Sequence, residues 1–137
     1  MPKQNDKIIL DTNLWISFLL SRDYSKLDKL FANNSITLLF SRELLEEFIE
    51  VAKRPKFKKY FSFDDLHRLL LQIKSRAVFI EVIHQISVCR DPKDDFLLAL
   101  AKEGKATHLI TGDKDLLELK TFGKTKIITI AYYFSQT

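Results

Sequence analysis

Four acidic residues of this chain stand where they could hold a cation. Asp11 follows the apolar run that begins at Ile8, and Asp113 follows another apolar run after one glycine. Glu47 and Asp94 fall in the first two turns of helical segments. Carboxylates that crowd together repel one another, which raises their pKa values and costs stability unless a cation lies among them. Oxygen ligands favour Mg²⁺ or Mn²⁺, and the lack of a Cys/His cluster argues against zinc.

The four carboxylates can meet only if strands and helices bring them to one edge of a sheet. Apolar residues at helical spacing separate several short apolar runs, an alternation that predicts an α/β fold with a parallel, doubly wound sheet. Because ligands bind in the crevice outside the carboxyl ends of such strands, the acidic residues are expected at that edge. The predicted strands are about Lys7–Leu10, Ile36–Phe40, Ala77–Val82, Thr107–Thr111 and Lys126–Thr129.

Residues with strong cap and stop preferences predict where several helices begin and end. Ser41 is expected to cap a helix from Arg42 to about Arg54, which Pro55 ends. Ser62 is expected to cap another that reaches about Arg76. Further helices are predicted over Leu14–Leu20, Tyr24–Ala32 and Ala131–Ser135, with a short one ending at Leu119.

The Asp91-Pro92 pair predicts the start of a buried helix, because Asp is a good N-cap and Pro suits the first helical position. This helix is expected over Pro92–Glu103, with Gly104 as its C-terminal stop. Residues 86–89 are predicted to extend the preceding strand.

Helix geometry distinguishes between neighbouring acidic residues, because residues three and four apart share a face. Glu46 shares its face with other charged residues, whereas Glu47 lies with apolar residues and is expected to point toward the sheet. The same comparison favours Asp94 over Asp95 by a smaller margin.

Each acidic residue also has a purely structural interpretation. Asp11 could cap the helix that follows it, and Asp113 could be a turn or cap residue. Asp94 could close a capping box begun at Asp91, which is itself interpreted as a cap. Glu47 could pair with a lysine. The coincidence of four carboxylates at one edge favours the functional interpretation.

Composition predicts one ordinary globular domain over residues 1–137. Hydrophobic residues make up 46% and charged residues 29%, which excludes a disordered chain. The single cysteine, Cys89, excludes an internal disulfide and fits a reducing compartment. With no leader and no long apolar run, the protein is expected in the cytoplasm and not in a membrane. The net charge of +4 is compatible with a nucleic-acid partner.

Other kinds of site find less support. The three histidines are scattered, and the hydroxyls of Ser41 and Thr111 lack an adjacent His–Asp pair. A phosphate-cradling glycine loop is missing from the sequence. Residues 53–61 mix basic and aromatic side chains and could hold a nucleic-acid backbone. A solvated face with the aromatics in the core is the more common arrangement.

Four segments, ILDTN, SRELLEEF, CRDPKDDFLLALA and ATHLITGDKDLL, resemble the PIN-domain family in their order and spacing. The resemblance runs from about Ile8 to Tyr133 and is strongest to the toxins of toxin–antitoxin systems. It implies a metal-dependent ribonuclease on a three-layer α/β/α fold, with a central parallel sheet of about four to five strands. It also implies a small antitoxin partner and a homodimer.

The resemblance assigns roles to individual residues. The family's first acidic position falls on Asp11 and its helix glutamate on Glu47. The third acid falls on Asp94, with Asp95 one residue away as the alternative, and the fourth on Asp113. Supporting or helper positions fall on Asn13, Thr111 and Asp115.

The sequence therefore predicts hydrolysis of RNA phosphodiester bonds, with one or two Mg²⁺ or Mn²⁺ ions at the acidic residues. Lys114, Arg54 and Lys56 are expected to offset the charge of the substrate's phosphates. Two alternatives remain. One is a non-catalytic RNA- or partner-binding module with the same fold. The other is a phosphohydrolase with Asp11 as nucleophile, against which Asn13 counts, since such enzymes carry an Asp at that position.

Overall fold

A computed structural model describes residues 5–83 and 94–136 of the chain. Its strands are β1 (Asp6–Leu10), β2 (Ile36–Phe40), β3 (Val78–Phe79), β4 (His108–Ile110), β5 (Thr121–Phe122) and β6 (Thr125–Ile128). Its helices are α1 (Thr12–Ser21), α2 (Ser25–Ala32), α3 (Arg42–Ala52), α4 (Phe63–Arg76), α5 (Asp95–Gly104), α6 (Lys114–Leu119) and α7 (Ile130–Ser135), with a 3-10 turn at Pro55–Phe57. None of the helices in these ranges is long and apolar enough to cross a membrane.

The strands form one sheet in the order β3-β2-β1-β4-β6-β5. All described neighbours are parallel except β5 and β6, which form an antiparallel hairpin. The right-handed crossovers that parallel strands require put α1 to α4 on one face and α5 and α6 on the other. The predicted α/β architecture is confirmed. The sheet has six strands where four to five were expected, and one of them is antiparallel.

The extra strand is β5, which sequence reasoning missed. It has only two residues, Thr121 and Phe122, and so carries no recognisable alternation of apolar and polar side chains. Gly123 follows at φ +58°, a left-handed backbone conformation that glycine adopts without strain. The chain thereby reverses and β6 pairs back against β5.

The predicted strand over Ala77–Val82 was too long. Only Val78 and Phe79 pair with β2, and both are exposed. An edge strand has one neighbour to pair with, so a continuous apolar run does not guarantee a long strand. The predicted extension at residues 86–89 and the helix start at Asp91-Pro92 lie outside the described residues.

Two serine caps were predicted correctly. The Ser41 Oγ accepts a hydrogen bond from the Leu44 N–H at 3.1 Å, which starts α3. Ser62 and Asp65 form a reciprocal capping box at the start of α4. The predicted end of α3 at Arg54 is two residues late, because the helix ends at Ala52 and the chain then enters the turn at Pro55.

Gly104 does not stop α5 in the predicted way. It is the last helical residue, and Lys105 after it takes the left-handed conformation at φ 52°. The glycine is needed for packing instead. A Cβ at this position would lie 2.8 Å from Leu39 Cδ1 and 3.3 Å from Ile80 Cγ1. A glycine here therefore lets α5 lie close to the sheet.

Trp15, a residue of α1, is fully buried in the core. Its ring packs against Phe18, Phe40 and Phe48, with centroid separations of 5.2–6.2 Å. Its Nε1–H donates a hydrogen bond to the Leu10 carbonyl at 3.1 Å. Because Leu10 is the last residue of β1, this bond fixes α1 to the strand end where Asp11 stands.

Candidate metal centre

Asp11 joins the end of β1 to the start of α1 and is only 6% exposed. Its backbone N–H donates to the Ile110 carbonyl at 3.0 Å, which continues the pairing of β1 with β4. The residue occupies the N-cap position of α1, but its side chain makes no cap hydrogen bond. The N–H groups of Thr12 and Asn13 at the start of α1 nevertheless favour its charged form, so the interpretation of Asp11 as a helix cap stays open.

The Asp11 side chain is held by Thr111 instead. The Thr111 hydroxyl donates to Asp11 Oδ2 at 2.6 Å, in a buried contact. The strand register explains this contact, because Leu10 pairs with Ile110 and the next residue of each strand must then lie side by side. Thr111 therefore contacts Asp11 directly, and its supporting role in a functional site stays a prediction.

A chain of hydrogen bonds continues from Thr111 to α6. The Asp113 N–H donates to Thr111 Oγ1 at 3.0 Å, and the Asp115 N–H donates to Asp113 Oδ1 at 2.8 Å. Asp113 is therefore the N-cap of α6, as its structural interpretation predicted. The same geometry brings it toward Asp11 through one shared threonine, so capping and a functional role are compatible.

The pKa of Asp11 is raised above its ordinary value. Burial is the largest cause, because a desolvated carboxylate favours its neutral form. The Thr111 hydrogen bond and the nearby N–H groups of Thr12 and Asn13 oppose the rise, whereas the negative charge of Asp113 adds to it. The Thr111 hydroxyl that Asp11 and the Asp113 N–H share accounts for the nearness of this charge.

A second polar group beside Asp11 lacks a partner. Thr12, the first residue of α1, is 5% exposed, and its hydroxyl makes no hydrogen bond within the part of the chain that the structure describes. A buried hydroxyl in this state costs free energy unless a water or an ion supplies the missing bond. The carboxylate oxygens of Asp11 and Asp113 are ligands that suit Mg²⁺ or Mn²⁺ better than zinc.

The other predicted acidic residues lie on helices that approach the same edge. Glu47 is half-buried in the second turn of α3, which packs against both α1 and α5. Asp94 is half-buried just before α5, and Asp95 is its first residue and only 8% exposed. The structure buries Asp95 more deeply, so the choice between these two neighbours stays open.

The full predicted cluster is not assembled in this arrangement. Within residues 5–83 and 94–136, no three Asp, Glu, His or Cys side chains lie close enough to hold a metal ion together. What the structure does bring together is Asp11, Thr111 and Asp113, with Asp115 behind them. The convergence of Glu47 and Asp94 on this group remains a prediction.

The predicted substrate contacts differ in their positions. Lys114 is exposed and directly follows Asp113. Arg54 precedes the 3-10 turn and Lys56 lies within it. Both are exposed, and no hydrogen bond or ion pair between described residues joins them to the acidic group. Asn13 is exposed in the first turn of α1, where its backbone carbonyl accepts a hydrogen bond from the Ser17 hydroxyl.

The sequence analysis did not single out Thr12, whose buried hydroxyl has no hydrogen-bond partner among the described residues. A threonine after an aspartate at a strand end is too common a pattern to be informative. The signal for Thr111 is stronger, because it follows β4 just as Asp11 follows β1, but the strand register was needed to use it.

Comparison with known proteins identifies the family. The family model of the PIN domain matches residues 7–115, from the start of β1 into α6. The chain belongs to the PIN domain family. An uncharacterized protein from Methanocaldococcus jannaschii is 32% identical to this PIN domain over 127 residues, which cover 90% of the chain and 81% of the relative.

A solved structure has a similar fold. It is a chain from the crystal structure of VapBC2 from Rickettsia felis bound to a DNA fragment from their promoter. The TM-score is 0.58 and the sequence identity 17%, with 88% of this chain and 96% of that chain covered. At this identity, the likeness shows that the PIN fold is shared.

Replacing Asp11 with asparagine should stabilise this PIN domain at neutral pH. Since the folded-state pKa of Asp11 is raised, its stabilising contribution is full below the unfolded pKa and is lost as pH rises through the folded pKa. Asparagine can still accept the Thr111 hydrogen bond but carries no charge. We expect Asp11→Asn to exceed the parent in free energy of unfolding at about pH 7, and the gain to shrink toward about pH 4.

Urea denaturation at both pH values measures this difference. Glu118→Gln, which neutralises an exposed carboxylate on α6, is the matched control and should show no such pH-dependent gain. A variant at Asp11 that is no more stable than the parent at neutral pH would contradict the inference that the charge is held at a cost.

Proposed function

We propose that this PIN domain is a divalent-metal-dependent ribonuclease that hydrolyses RNA phosphodiester bonds. The observation that carries the proposal is the buried Asp11 carboxylate, which accepts a hydrogen bond at 2.6 Å from the Thr111 hydroxyl, the same hydroxyl that accepts the N–H of Asp113. A buried carboxylate that lowers the stability of the free protein is typical of a functional site, because a bound ligand can compensate for that cost. PIN domains are generally nucleases and typically use divalent metals, which supports the same conclusion.

The acidic residues fit Mg²⁺ or Mn²⁺, which would supply an activated water at neutral pH and neutralise charge on the phosphate. Asp11 and Asp113 would provide the central ligands. Thr111 fixes the direction of the Asp11 carboxylate by donating to Oδ2, which leaves the remaining lone pairs of Asp11 available. The outer residues of the proposed site are Glu47, Asp94 and Asp115.

The basic residues would act on the substrate. Lys114, next to Asp113, is well placed to offset phosphate charge beside the acidic group. Arg54 and Lys56 would contact the RNA backbone outside it. No side-chain nucleophile is needed, because the attacking group is water.

Removing the central carboxylates should abolish metal-dependent cleavage. Asp11→Asn and Asp113→Asn are expected to lose more than the ~10–100-fold that changes to outer-shell partners typically cost, whereas Thr111→Val should fall in that range. Cleavage of a labelled single-stranded RNA in Mn²⁺ measures the rates. Asp64→Asn, at an exposed position of α4, is the control and should cleave like the parent. Parent-rate cleavage by clean Asp11→Asn protein would refute the assignment.

A second candidate function is a non-catalytic RNA- or partner-binding module. The specific observation in its favour is that the described residues assemble no group of three metal-ligand side chains. A module of this kind would keep the PIN fold and bind without cutting.

Manganese titration separates the two functions. If the acidic group binds metal, the parent should gain about 2.7 kcal/mol of stability when free Mn²⁺ is 100 times its dissociation constant, by mass action. Asp11→Asn should gain little, and Asp64→Asn should respond like the parent. Thermal unfolding at rising Mn²⁺ concentrations provides the measurement. A parent protein without saturable stabilisation would favour the non-catalytic module.

We further propose that the protein is the toxin of a toxin–antitoxin pair, acts as a homodimer and binds a small antitoxin. The motif resemblance and the shared fold with a VapBC2 chain support this proposal. The gene beside it should then encode a short DNA-binding protein.

Co-expression tests the partner directly. The two proteins should purify together, and the complex should cleave RNA more slowly than the free PIN domain. A neighbouring gene of another kind would overturn the toxin proposal and leave the ribonuclease proposal intact.

A further inference from the structure

A basic groove lies between the end of α5 and the β5–β6 hairpin. It has a volume of about 670 Å³ and is open to solvent. Lys102, Lys105 and Lys124 line it together with Phe122. We refer to these four residues as the hairpin groove. It lies at the amino edge of the sheet, since β4 and β6 both begin beside it.

The charge of the hairpin groove is unbalanced. Three lysines line it, and none of the described lining residues is acidic. Helix dipoles account for part of this, because cations are favoured at the C-terminal end of a helix such as α5. They do not account for Lys124, which stands on the hairpin and not at a helix end. The helix dipole therefore explains only part of the positive charge in the groove.

A second basic cleft of about 690 Å³ lies on the other side of the same hairpin, lined in part by Lys120 and Lys126. Its one acidic residue among those described is Asp6. Asp6 already accepts a hydrogen bond from the Tyr133 hydroxyl at 2.7 Å. The hairpin thus carries lysines on both sides with little opposing charge.

Helix α6 connects the acidic residue Asp113 to Lys120 at the start of the hairpin. Lys114 opens this helix beside Asp113, and Lys120 follows its end, about 9 Å further along. Thr107, which also lines the groove, precedes β4, and Thr111 follows it, so the two are separated by about 13 Å along the strand direction. An extended polymeric ligand that passes around the hairpin edge of the sheet could contact both the acidic group and the groove.

We propose that the hairpin groove binds the sugar–phosphate backbone of single-stranded RNA. The three ammonium groups can neutralise phosphate charge, and Phe122 offers a half-buried ring on which a base can stack. The contact is independent of base identity. The proposal rests on the proposed function only in naming RNA as the ligand, because the binding itself requires neither metal nor cleavage.

Salt-dependent binding of RNA tests the groove. The variant Lys102→Gln/Lys105→Asn/Lys124→Gln removes its three charges, with asparagine at Lys105 because it tolerates a positive φ. The control Lys26→Gln/Lys29→Gln/Lys74→Gln removes three exposed charges elsewhere. Fluorescence anisotropy with a labelled single-stranded RNA in EDTA gives the affinity of each protein. Thermal unfolding shows whether both variants fold.

The groove variant should bind about 10-fold more weakly than the parent at low salt, and the slope of log affinity against log salt should fall by about 2, or 0.7 per lost phosphate contact. The control should change neither quantity appreciably. If the triple variant does not fold, Lys102→Gln/Lys124→Gln should lower the slope by about 1.4.

Two results would overturn the proposal. Equal losses in the groove and control variants would mean that net charge, and not the groove, determines binding. Displacement of RNA by polyglutamate as readily as by unlabelled RNA would mean that the groove suits an acidic protein. Cleavage is measured separately in Mn²⁺, so an inactive enzyme that still binds RNA through the groove refutes only the proposed catalysis.

Discussion

A carboxylate buried at the end of the central strand is the constraint on which this site depends. Desolvation disfavours the charge of Asp11, and the protein offsets only part of that cost with the Thr111 hydroxyl and the first N–H groups of α1. The surrounding structure must therefore be stable enough to hold the group in place. Pairing of β1 on both sides and the bond from Trp15 to Leu10 provide that support.

The same arrangement explains why one short threonine matters. Thr111 directly follows β4, donates a hydrogen bond to Asp11 at the end of β1, and accepts one from the N–H of Asp113 at the start of α6. Its single hydroxyl links three elements by donating once and accepting once. Capping of α6 and orientation of the buried carboxylate are therefore coupled, and a change in one would alter the other.

Much of the fold was predictable from local chemistry. The caps at Ser41 and Ser62 use side-chain preferences that act within one helical turn, and β2 is a run of apolar residues with clear boundaries. What failed depended on distant contacts. The β5 strand is defined by its partner and not by its own sequence, and β3 is short because it has a neighbour on one side only.

The residues of the candidate site also fall into two groups, those that local sequence predicts and those that depend on distant contacts. Asp11 and Asp113 could be recognised because each follows a strand, and the structure joins them through the Thr111 hydroxyl. The role of Thr111 depends on register, which a sequence pattern of period two does not determine between strands 100 residues apart. The approach of Glu47 and Asp94 depends on how α3 and α5 tilt, and tilt follows from packing that no local motif encodes.

Gly104 shows how far such packing extends. With a single hydrogen in place of a side chain, the end of α5 lies against Leu39 and Ile80. The helix is a stiff rod whose other end carries Asp95, nine residues and about 14 Å away. A side chain added at the glycine would displace this end of the helix, so the direction in which Asp95 points depends in part on packing at the far end of α5.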